Sequence, residues 1–474
     1  MLKYSVAFIS LVAALSSCQN TPKETAPPCD FQSILPEGND IDCGYITVPE
    51  NHYQPDGKKI NIAYVVLHSK DPNTTAFPVI YLSGGPGGSS LVDRAIKRWY
   101  DHPFREKQDI VLLDQRGIGY SSALPNIYIE LNDIMAKNAN QEQEQQMMDS
   151  LMTAYSQKCK DSGIELQYYN TFQNARDVGA LMDHLGYEKY NLYGVSYGTR
   201  LARVTQDIFP DKLNSVILNS PNPIKGDMLV DRLKSYALAL GRVIDYCNNN
   251  AECHAAYPTL QKDYFKAING LAEKPLELTI NGDNVYINAQ DGIFFVRRLL
   301  YGNDSRRDIP ALIQEYLNGG GPLIAELASE EYAPDYNFAM WFAVERHEMY
   351  DPANTQQVVD RVYDSLQLLP YRLGLFNAAY MNLGRLHDSG ASAEQKKFKP
   401  SSIPTLITVN QFDPVTPPEN GKIMMETLSN GHLFILDEGG HGGGDVNCRN
   451  KVMIDFMHDP NGELDASCLN VYKE

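Results

Sequence analysis

The chain has 474 residues, of which 43% are hydrophobic and 10% aromatic, so it can bury a large core but exceeds the usual size of one compact domain. Its formal net charge of -18 argues against nucleic acid as a partner, because neutralising phosphates needs clustered Lys and Arg. The sequence contains no Cys-x2-Cys or His-x3-His spacing, so neither a metal site nor a cofactor is predicted.

The N-terminus has the pattern of a secretory signal. Its apolar run, Val6 to Leu15, has about half of the ~20 residues that a transmembrane helix needs. The ending Leu15-Ser-Ser-Cys18 resembles the lipobox of bacterial lipoproteins, in which the cysteine becomes the first mature residue and carries a lipid. We therefore expect a signal peptide at 1–17, a lipid on Cys18 and a flexible tether at 18–28. This predicts a protein of the bacterial cell envelope that touches the membrane through its lipid only; an ordinary cleaved signal is the alternative.

The seven cysteines after Cys18 fit an oxidising compartment, and seven cannot all pair. Closeness in sequence suggests three disulfides and one free thiol, although sequence alone does not fix the connectivity. The suggested pairs are Cys29 with Cys43, Cys247 with Cys253, and Cys448 with Cys468, which leaves Cys159 free.

The first part of the chain has the composition of a sheet with a crossover helix. Apolar runs bounded by turn residues predict strands at Ile60–His68, Phe77–Leu82 and Asp109–Asp114. Helical spacing then predicts a helix over Thr171–Leu185, with Thr171 as its N-cap and Gly186 at its end.

A strand, a helix and a strand follow at Tyr190–Tyr193, Ser196–Phe209 and Leu213–Leu218. Strand alternation then disappears until the runs Ile403–Val409 and Leu433–Leu436. The pattern predicts the α/β class. A core of mostly parallel sheet with flanking helices is expected at 29–221 and 398–474, interrupted by a mainly helical cap at 222–397.

The pentapeptide Gly194-Val-Ser196-Tyr-Gly198 lies between a predicted strand and a predicted helix. That is the setting of a Gly-x-Ser-x-Gly nucleophile elbow, in which a sharp turn exposes the serine. A chance match in a loop is the alternative. We predict Ser196 as the nucleophile of an α/β-hydrolase.

A serine nucleophile needs a histidine to remove its proton and a carboxylate to orient that histidine. In this fold the chain order is Ser, acid, His. Asp413 follows the strand Ile403–Val409, and His441 lies in a glycine-rich loop after the last strand. We predict Asp413 and His441 as the partners of Ser196, with Asp437 and Glu438 as rival acids.

The oxyanion that develops during acyl transfer needs preorganised N–H donors. The loop Ser83-Gly-Gly-Pro-Gly-Gly88 follows a predicted strand and supplies one candidate donor, Gly85, while the N–H of Tyr197 is the second. A phosphate-binding loop is the rival interpretation, but the Gly-Lys-Ser/Thr ending is missing.

Four motifs together resemble those of proline iminopeptidases and tripeptidyl aminopeptidases, α/β-hydrolases that remove residues from peptide N-termini. The motifs are Ser83-Gly-Gly-Pro-Gly87, Asp114-Gln-Arg-Gly-Ile-Gly-Tyr-Ser121, Gly194-Val-Ser-Tyr-Gly198, and Asp413 with His441. The resemblance spans about Cys43 to the C-terminus and implies a peptide substrate. Many relatives have His where this chain has Ser83, a change that leaves the backbone donors in place.

The segment Val344-Glu-Arg346-His-Glu348 resembles a cap motif that often reads Val-x-Cys-x-Glu in this family, with Arg346 in place of the cysteine. The resemblance implies that Glu348 binds the substrate ammonium, and Glu345 lies one helical turn away, close enough to share that role. An exposed helix carboxylate is the alternative.

These observations favour a serine exopeptidase that releases one to a few residues from peptide N-termini. An esterase or lipase is the nearest rival, because the same three residues serve both chemistries. A binding lipoprotein that kept the fold without the chemistry is the alternative from another class.

Overall fold

The computed structural model describes residues 29–38, 40–280, 282–330, 335–353, 356–370, 374–437 and 439–472. The predicted signal peptide at 1–17, the lipid on Cys18 and the tether at 18–28 lie outside the described residues, as does Glu438. Among the described residues, no helix is long and apolar enough to cross a membrane.

The core is an eight-stranded sheet in the order β1-β2-β4-β3-β5-β6-β9-β10. β1 and β2 pair antiparallel, β2 pairs antiparallel with β4, and the pairs from β4 to β10 are parallel. Its strands are β1 (Ile41–Pro49), β2 (Lys59–Leu67), β3 (Val79–Leu82), β4 (Ile110–Leu113), β5 (Tyr190–Val195), β6 (Leu213–Asn219), β9 (Thr405–Asn410) and β10 (Gly431–Leu436).

Both faces of the sheet are covered, because side chains alternate along each strand. In β3, Ile80 and Leu82 join the core on one face, whereas Val79 and Tyr81 join the core on the other. Burial on both faces explains why β3 and β4 are short continuous apolar runs. Sequence reasoning missed the outermost strand β1, in which the buried residues Gly44, Ile46 and Val48 alternate with residues that are partly or fully exposed.

Helices cover the two faces of the sheet. α1 (Asp93–Tyr100) and α16 (Val446–His458) contribute to one core, and α4 (Thr171–His184), α5 (Tyr197–Ile208) and α15 (Pro418–Met425) contribute to the other. The N-cap of α4 is Asn170 rather than the predicted Thr171, because the Asn170 side chain accepts the N–H groups of the first turn.

The insertion 222–397 is mainly helical, but it also contains a two-stranded hairpin of β7 (Leu276–Ile280) and β8 (Asp283–Ile287) that sequence reasoning missed. Isolated two-stranded hairpins bury little, so their apolar pattern is weak. The helices of the insertion are α6 (Met228–Asn249), α7 (Ala251–Ala256), α8 (Leu260–Glu273), α9 (Ala289–Tyr301), α10 (Ile309–Asn318), α11 (Pro322–Ala328), α12 (Phe338–Glu348), α13 (Gln356–Ser365) and α14 (Gly374–Asn382).

Two further helices, α2 (Tyr128–Met135) and α3 (Gln141–Asp161), precede β5 in sequence. α3 packs against α14 of the insertion, and the Asn382 side chain donates a hydrogen bond to the Gln145 carbonyl. α3, which lies in the stretch 29–221 predicted to belong to the core, therefore contacts the insertion 222–397.

All three suggested disulfides are confirmed: Cys29–Cys43, Cys247–Cys253 and Cys448–Cys468. Cys159 is free and buried, as expected. The first bridge ties the start of the described chain to β1, and the last ties α16 to the C-terminal segment.

Two carboxylates, Glu144 of α3 and Asp291 of α9, lie near each other and predict a pH-dependent stability. Burial and the nearby Asp291 raise the pKa of Glu144 to about 8, and burial raises the pKa of Asp291 to about 7. The folded state therefore holds these protons more tightly than the unfolded state, so the stabilisation is present below about pH 4 and is lost as pH rises to about 8. We expect the melting temperature to fall between pH 5 and pH 8, and Glu144→Gln to flatten that fall. An unchanged slope in thermal unfolding followed by circular dichroism would refute the assignment.

Candidate active site

Ser196 stands at a strained turn between β5 and α5. Its backbone φ is 56° and ψ is -122°, values that non-glycine residues rarely adopt. The flanking glycines permit the turn, since a Cβ on Gly194 would lie 2.3 Å from the Gly198 carbonyl oxygen, and one on Gly198 would lie 1.9 Å from that of Leu82. The strand–turn–helix setting that was predicted for the pentapeptide is present.

Asp413 and His441 meet beyond the ends of β9 and β10. His441 Nδ1 lies 2.8 Å from Asp413 Oδ2. The other carboxylate oxygen, Oδ1, accepts the N–H groups of Val415 and Thr416, each at 2.8 Å. With Nδ1 engaged, Nε2 is the imidazole nitrogen left for the serine. No hydrogen bond between Ser196 and His441 is described, although both line the same cavity.

The surroundings of Asp413 keep it ionised. Burial by itself would raise its pKa, but the charge and hydrogen bond of His441, together with hydrogen bonds from Thr416, bring the pKa below its usual range. The rival Asp437 is exposed, and its only described hydrogen bond is made by its backbone N–H, to the Asn470 carbonyl. Of the two acids that the structure describes, Asp413 is the one that orients an imidazole.

The His441 loop is held by residues that sequence reasoning missed. The hydroxyl of Ser220, at the end of β6, accepts the N–H of Gly442 at 2.9 Å, and the Asn410 side chain donates to the Gly440 carbonyl at 2.7 Å. Ser220 has a φ of 56°, the same unusual value as Ser196. No motif surrounds Ser220, so only the structure reveals this contact.

The glycine loop after β3 lies directly against Ser196. A Cβ on Gly84 would come within 2.9 Å of Ser196 Cβ, so only glycine allows this approach. Gly85 lines the same cavity as Ser196. Among the described residues, no acceptor is found for the backbone N–H of Gly85 or of Tyr197. Both N–H groups therefore remain available for a developing oxyanion.

The Asp114-Gln-Arg-Gly motif holds the glycine loop in place through hydrogen bonds. The buried carboxylate of Asp114 accepts the N–H of Ser90 at 2.8 Å and the hydroxyl of Ser89 at 2.7 Å. Gln115 donates to the carbonyl of Ser83 at 3.0 Å. Arg116 forms a bidentate ion pair with Asp177 of α4. The motif therefore positions the glycine loop and contributes no group to the cavity.

Ser196, His441 and Gly85 open into a cavity of about 820 Å³ beneath the cap. Its wall is mostly apolar and aromatic; the aromatic members are Phe294, Tyr301, Tyr336, Phe338, Trp341 and Phe342. Glu326 and Glu330 line it as well, and both are exposed. A cavity of this size accommodates a short peptide or a bulky acyl group.

A second cavity of about 300 Å³ adjoins the first, since Arg232 and Val415 line both. Glu345 lines this second cavity and is 1% exposed. Neither of its carboxylate oxygens accepts a hydrogen bond from the described residues, and the nearest cationic nitrogen is Arg200 Nη2 at 3.6 Å. Burial raises the pKa of Glu345, although Arg200 and Arg232 oppose the shift.

Glu348 lies elsewhere than Glu345, and its position does not support its predicted role in binding the substrate ammonium. It is fully buried and lines neither cavity. One oxygen accepts the N–H of Thr171 at 2.7 Å, and the other accepts the Thr171 hydroxyl at 2.8 Å and Arg200 Nη1 at 2.9 Å. The Glu348 carboxylate is thus already bonded to groups of the protein itself. It is also not the exposed helix carboxylate of the alternative interpretation.

Known proteins match between 36% and 85% of this chain. Tripeptidyl aminopeptidase of Streptomyces lividans is 26% identical over 441 residues, which cover 85% of this chain and 78% of that protein. Serine protease Hip1 of Mycobacterium tuberculosis is 26% identical over 226 residues, covering 44% of this chain and 42% of that protein. Proline iminopeptidase of Arabidopsis thaliana is 24% identical over 170 residues, covering 36% and 33% respectively.

Two family models match separate stretches of the chain. A model described as alpha/beta hydrolase fold matches residues 78–263, which include Ser196, and one described as TAP-like protein matches residues 385–468, which include Asp413 and His441. The resemblance stated from the motifs is confirmed, and the chain has the α/β-hydrolase fold.

Proposed function

We propose that this protein is a serine aminopeptidase that releases one to a few residues from peptide N-termini through an acyl-enzyme. The observation that carries the proposal is the position of Ser196 at the floor of a capped cavity, beside a second cavity that holds the buried carboxylate of Glu345. The similarity to tripeptidyl aminopeptidase and to Hip1 supports a peptidase.

In the proposed mechanism, Ser196 Oγ attacks the scissile carbonyl while His441 Nε2 takes its proton. Asp413 holds the imidazole and stabilises the imidazolium that forms. The N–H groups of Gly85 and Tyr197 stabilise the oxyanion. His441 then protonates the leaving amine, so the N-terminal fragment remains as an ester on Ser196 until water, activated by His441, releases it.

An exopeptidase has to recognise the free ammonium at a fixed distance from the bond that it cuts. We assign this task to Glu345, because its carboxylate is buried, lines a cavity next to the catalytic one and accepts no described hydrogen bond. Its ion-pair partner, Arg200 Nη2, lies 3.6 Å away. A charge-assisted hydrogen bond from a substrate ammonium would satisfy it. The extended N-terminal residues would then occupy the aromatic cavity above Ser196.

We predict that Glu345→Gln lowers kcat/KM for free-amine peptides by about 10- to 100-fold, the typical loss of a charged hydrogen bond. Hydrolysis of p-nitrophenyl acetate should change by less than about 3-fold, since that substrate has no ammonium. Glu326→Gln is the matched control, because Glu326 is an exposed carboxylate on the wall of the main cavity. If the selective loss follows Glu326→Gln instead, the ammonium binds in the main cavity, and Glu345 does not recognise it.

An esterase is the second candidate, favoured by the aromatic wall of the main cavity. Steady-state kinetics of the full chain on peptide anilides with free and acetylated N-termini, beside short and long acyl esters, separates the possibilities. The aminopeptidase proposal expects turnover of free-amine anilides to exceed that of acetylated ones by at least about 10-fold. Ester turnover without anilide turnover would indicate an esterase, and no turnover of either would indicate a binding protein.

We also propose that Cys18 carries a lipid that holds the protein in the cell envelope. The three disulfides support an oxidising compartment. Cys18→Ala should move the protein from the membrane fraction to the soluble fraction without changing its kcat, because the lipid serves as a tether. Membrane association that survives the substitution, measured by fractionation and immunoblotting, would point to another anchor.

A further inference from the structure

The two proposed oxyanion donors belong to different parts of the core. Gly85 lies in the loop after β3, and Tyr197 is the first residue of α5. Stabilising an oxyanion requires both N–H groups to point at one atom, about 2.7–3.1 Å from each. The distance between the donors therefore depends on whatever holds the loop and the helix relative to each other.

One end of α12 is bonded to the glycine loop. The lead-in to this cap helix forms a short antiparallel bridge with the loop, in which Gly88 pairs with Tyr336. The N–H of Asn337 donates to the Gly87 carbonyl at 2.9 Å. A Cβ on Gly87 would lie 2.3 Å from the Asn337 carbonyl oxygen, and Gly87 has a φ of 114°. Glycine is required there for the cap to approach so closely.

The side chain of Asn337 holds the segment directly before α12 in place. Its amide group donates to the carbonyls of Gly117 and Leu124, at 3.1 and 2.8 Å. Its oxygen caps α12 by accepting the N–H of Ala339 at 3.0 Å. The residue is 5% exposed. Asn337 thus ties the start of α12 to the end of the Asp-Gln-Arg-Gly motif and to the core segment that follows it.

The other end of α12 is bonded to α5, the helix that begins directly after Ser196. The Glu348 carboxylate accepts the Thr171 hydroxyl, whose oxygen lies 2.9 Å from the Tyr197 hydroxyl. Because Thr171 donates its proton to Glu348, Tyr197 is the donor in this second bond. Glu348 also pairs with Arg200, one turn into α5, and Arg200 in turn lies over the Tyr197 ring. All of these side chains are nearly or completely buried.

We propose that α12 is a brace that sets the separation of the two oxyanion donors, with Asn337 and Glu348 as its positioning residues. The helix has 11 residues and spans about 16 Å. Its two ends hold the two halves of the oxyanion hole, so the cap completes the catalytic centre. The inference rests on the proposed function, because it takes Gly85 and Tyr197 as the donors.

The test compares p-nitrophenyl acetate with its thiono analogue, in which sulphur replaces the carbonyl oxygen. Sulphur is larger than oxygen and a weaker hydrogen-bond acceptor, so the thiono ester gains less from the oxyanion hole. The ratio of kcat for the oxygen ester to kcat for the thiono ester therefore reports how well the two N–H donors are aligned. A fraction of unfolded enzyme lowers both rates equally and leaves the ratio unchanged. The variants, in the full chain, are Glu348→Gln and Thr171→Val, with Thr171→Ser as the conservative rescue. Asp149→Asn serves as a cap control, since Asp149 forms an exposed ion pair with Arg385.

The brace predicts that Thr171→Val and Glu348→Gln lower kcat for the oxygen ester by about 10-fold or more, the typical result of misplacing a donor. The thiono ester should lose less than about 3-fold, so the ratio falls, while KM changes little. Thr171→Ser and Asp149→Asn should keep the wild-type ratio. Glu348→Gln removes the charge that lies 2.9 Å from the buried Arg200 Nη1. If this variant fails to fold, the ratio measured for Thr171→Val is the deciding result.

An unchanged ratio in Thr171→Val, or equal losses on both esters, would overturn the brace. A wild-type enzyme that hydrolyses neither ester would instead count against the proposed hydrolase chemistry. The two failures are therefore distinguishable.

Discussion

Replacing Ser196 with alanine should lower kcat by about a millionfold, the loss typical of removing a serine nucleophile. The reason is geometric, because the strained elbow presents Ser196 to the cavity that it shares with His441. The substitution removes one oxygen from a side chain with no described hydrogen bond, so the melting temperature should change little. His441→Ala should be as severe, since residues that act as a unit lose function together.

A fluorophosphonate probe provides the direct measurement for this prediction. Mass spectrometry should find the phosphonyl group on the tryptic peptide that contains Ser196 in the wild type and no label in Ser196→Ala. Retained turnover in Ser196→Ala, or a label on another residue, would move the nucleophile elsewhere.

Asp413→Asn should lower kcat by about ten-thousandfold, which makes it milder than the loss of the nucleophile. Asparagine can still accept the N–H groups of Val415 and Thr416 through its oxygen. Its amide nitrogen would then face His441 Nδ1 and the Thr416 hydroxyl, which are held by the carboxylate in the wild type. Two donors cannot pair, so the imidazole loses the tautomer and orientation that Ser196 needs.

Asp437→Asn is the matched control for this prediction. Asp437 follows β10 just as Asp413 follows β9, but it is exposed. Its substitution should leave kcat within about 3-fold of the wild type, as expected for a surface position. A harmless Asp413→Asn beside a crippling Asp437→Asn would show that the acid was wrongly assigned.

The local sequence was sufficient to predict the core of the site. β3 and β4 are continuous apolar runs because the sheet is covered on both faces, and Asp413 and His441 each follow a late strand, where loops of this fold converge. The glycines around Ser196 are needed for close packing that any such turn imposes. These features depend on neighbours that are near in sequence, so a pattern can reveal them.

The cap was less predictable, because its contacts join residues that are far apart in sequence. Nothing near Glu348 indicates that Thr171, 177 positions earlier, occupies its carboxylate. The same holds for the packing of α3 on α14 and for Ser220 beneath the His441 loop. A motif identifies the residue type, but the partner determines whether a carboxylate binds substrate or holds the protein together.

Product analysis of one unmodified decapeptide shows whether this protein is an aminopeptidase. The full chain is incubated with the peptide bearing a free N-terminus and, separately, with its N-acetylated form, and the products are identified by mass spectrometry over time. We expect fragments of one to three residues to be released only from the free N-terminus, so that the remaining peptide shortens from that end. Ser196→Ala should release nothing. Cleavage of internal bonds in both peptides, or shortening from the C-terminus, would contradict this expectation.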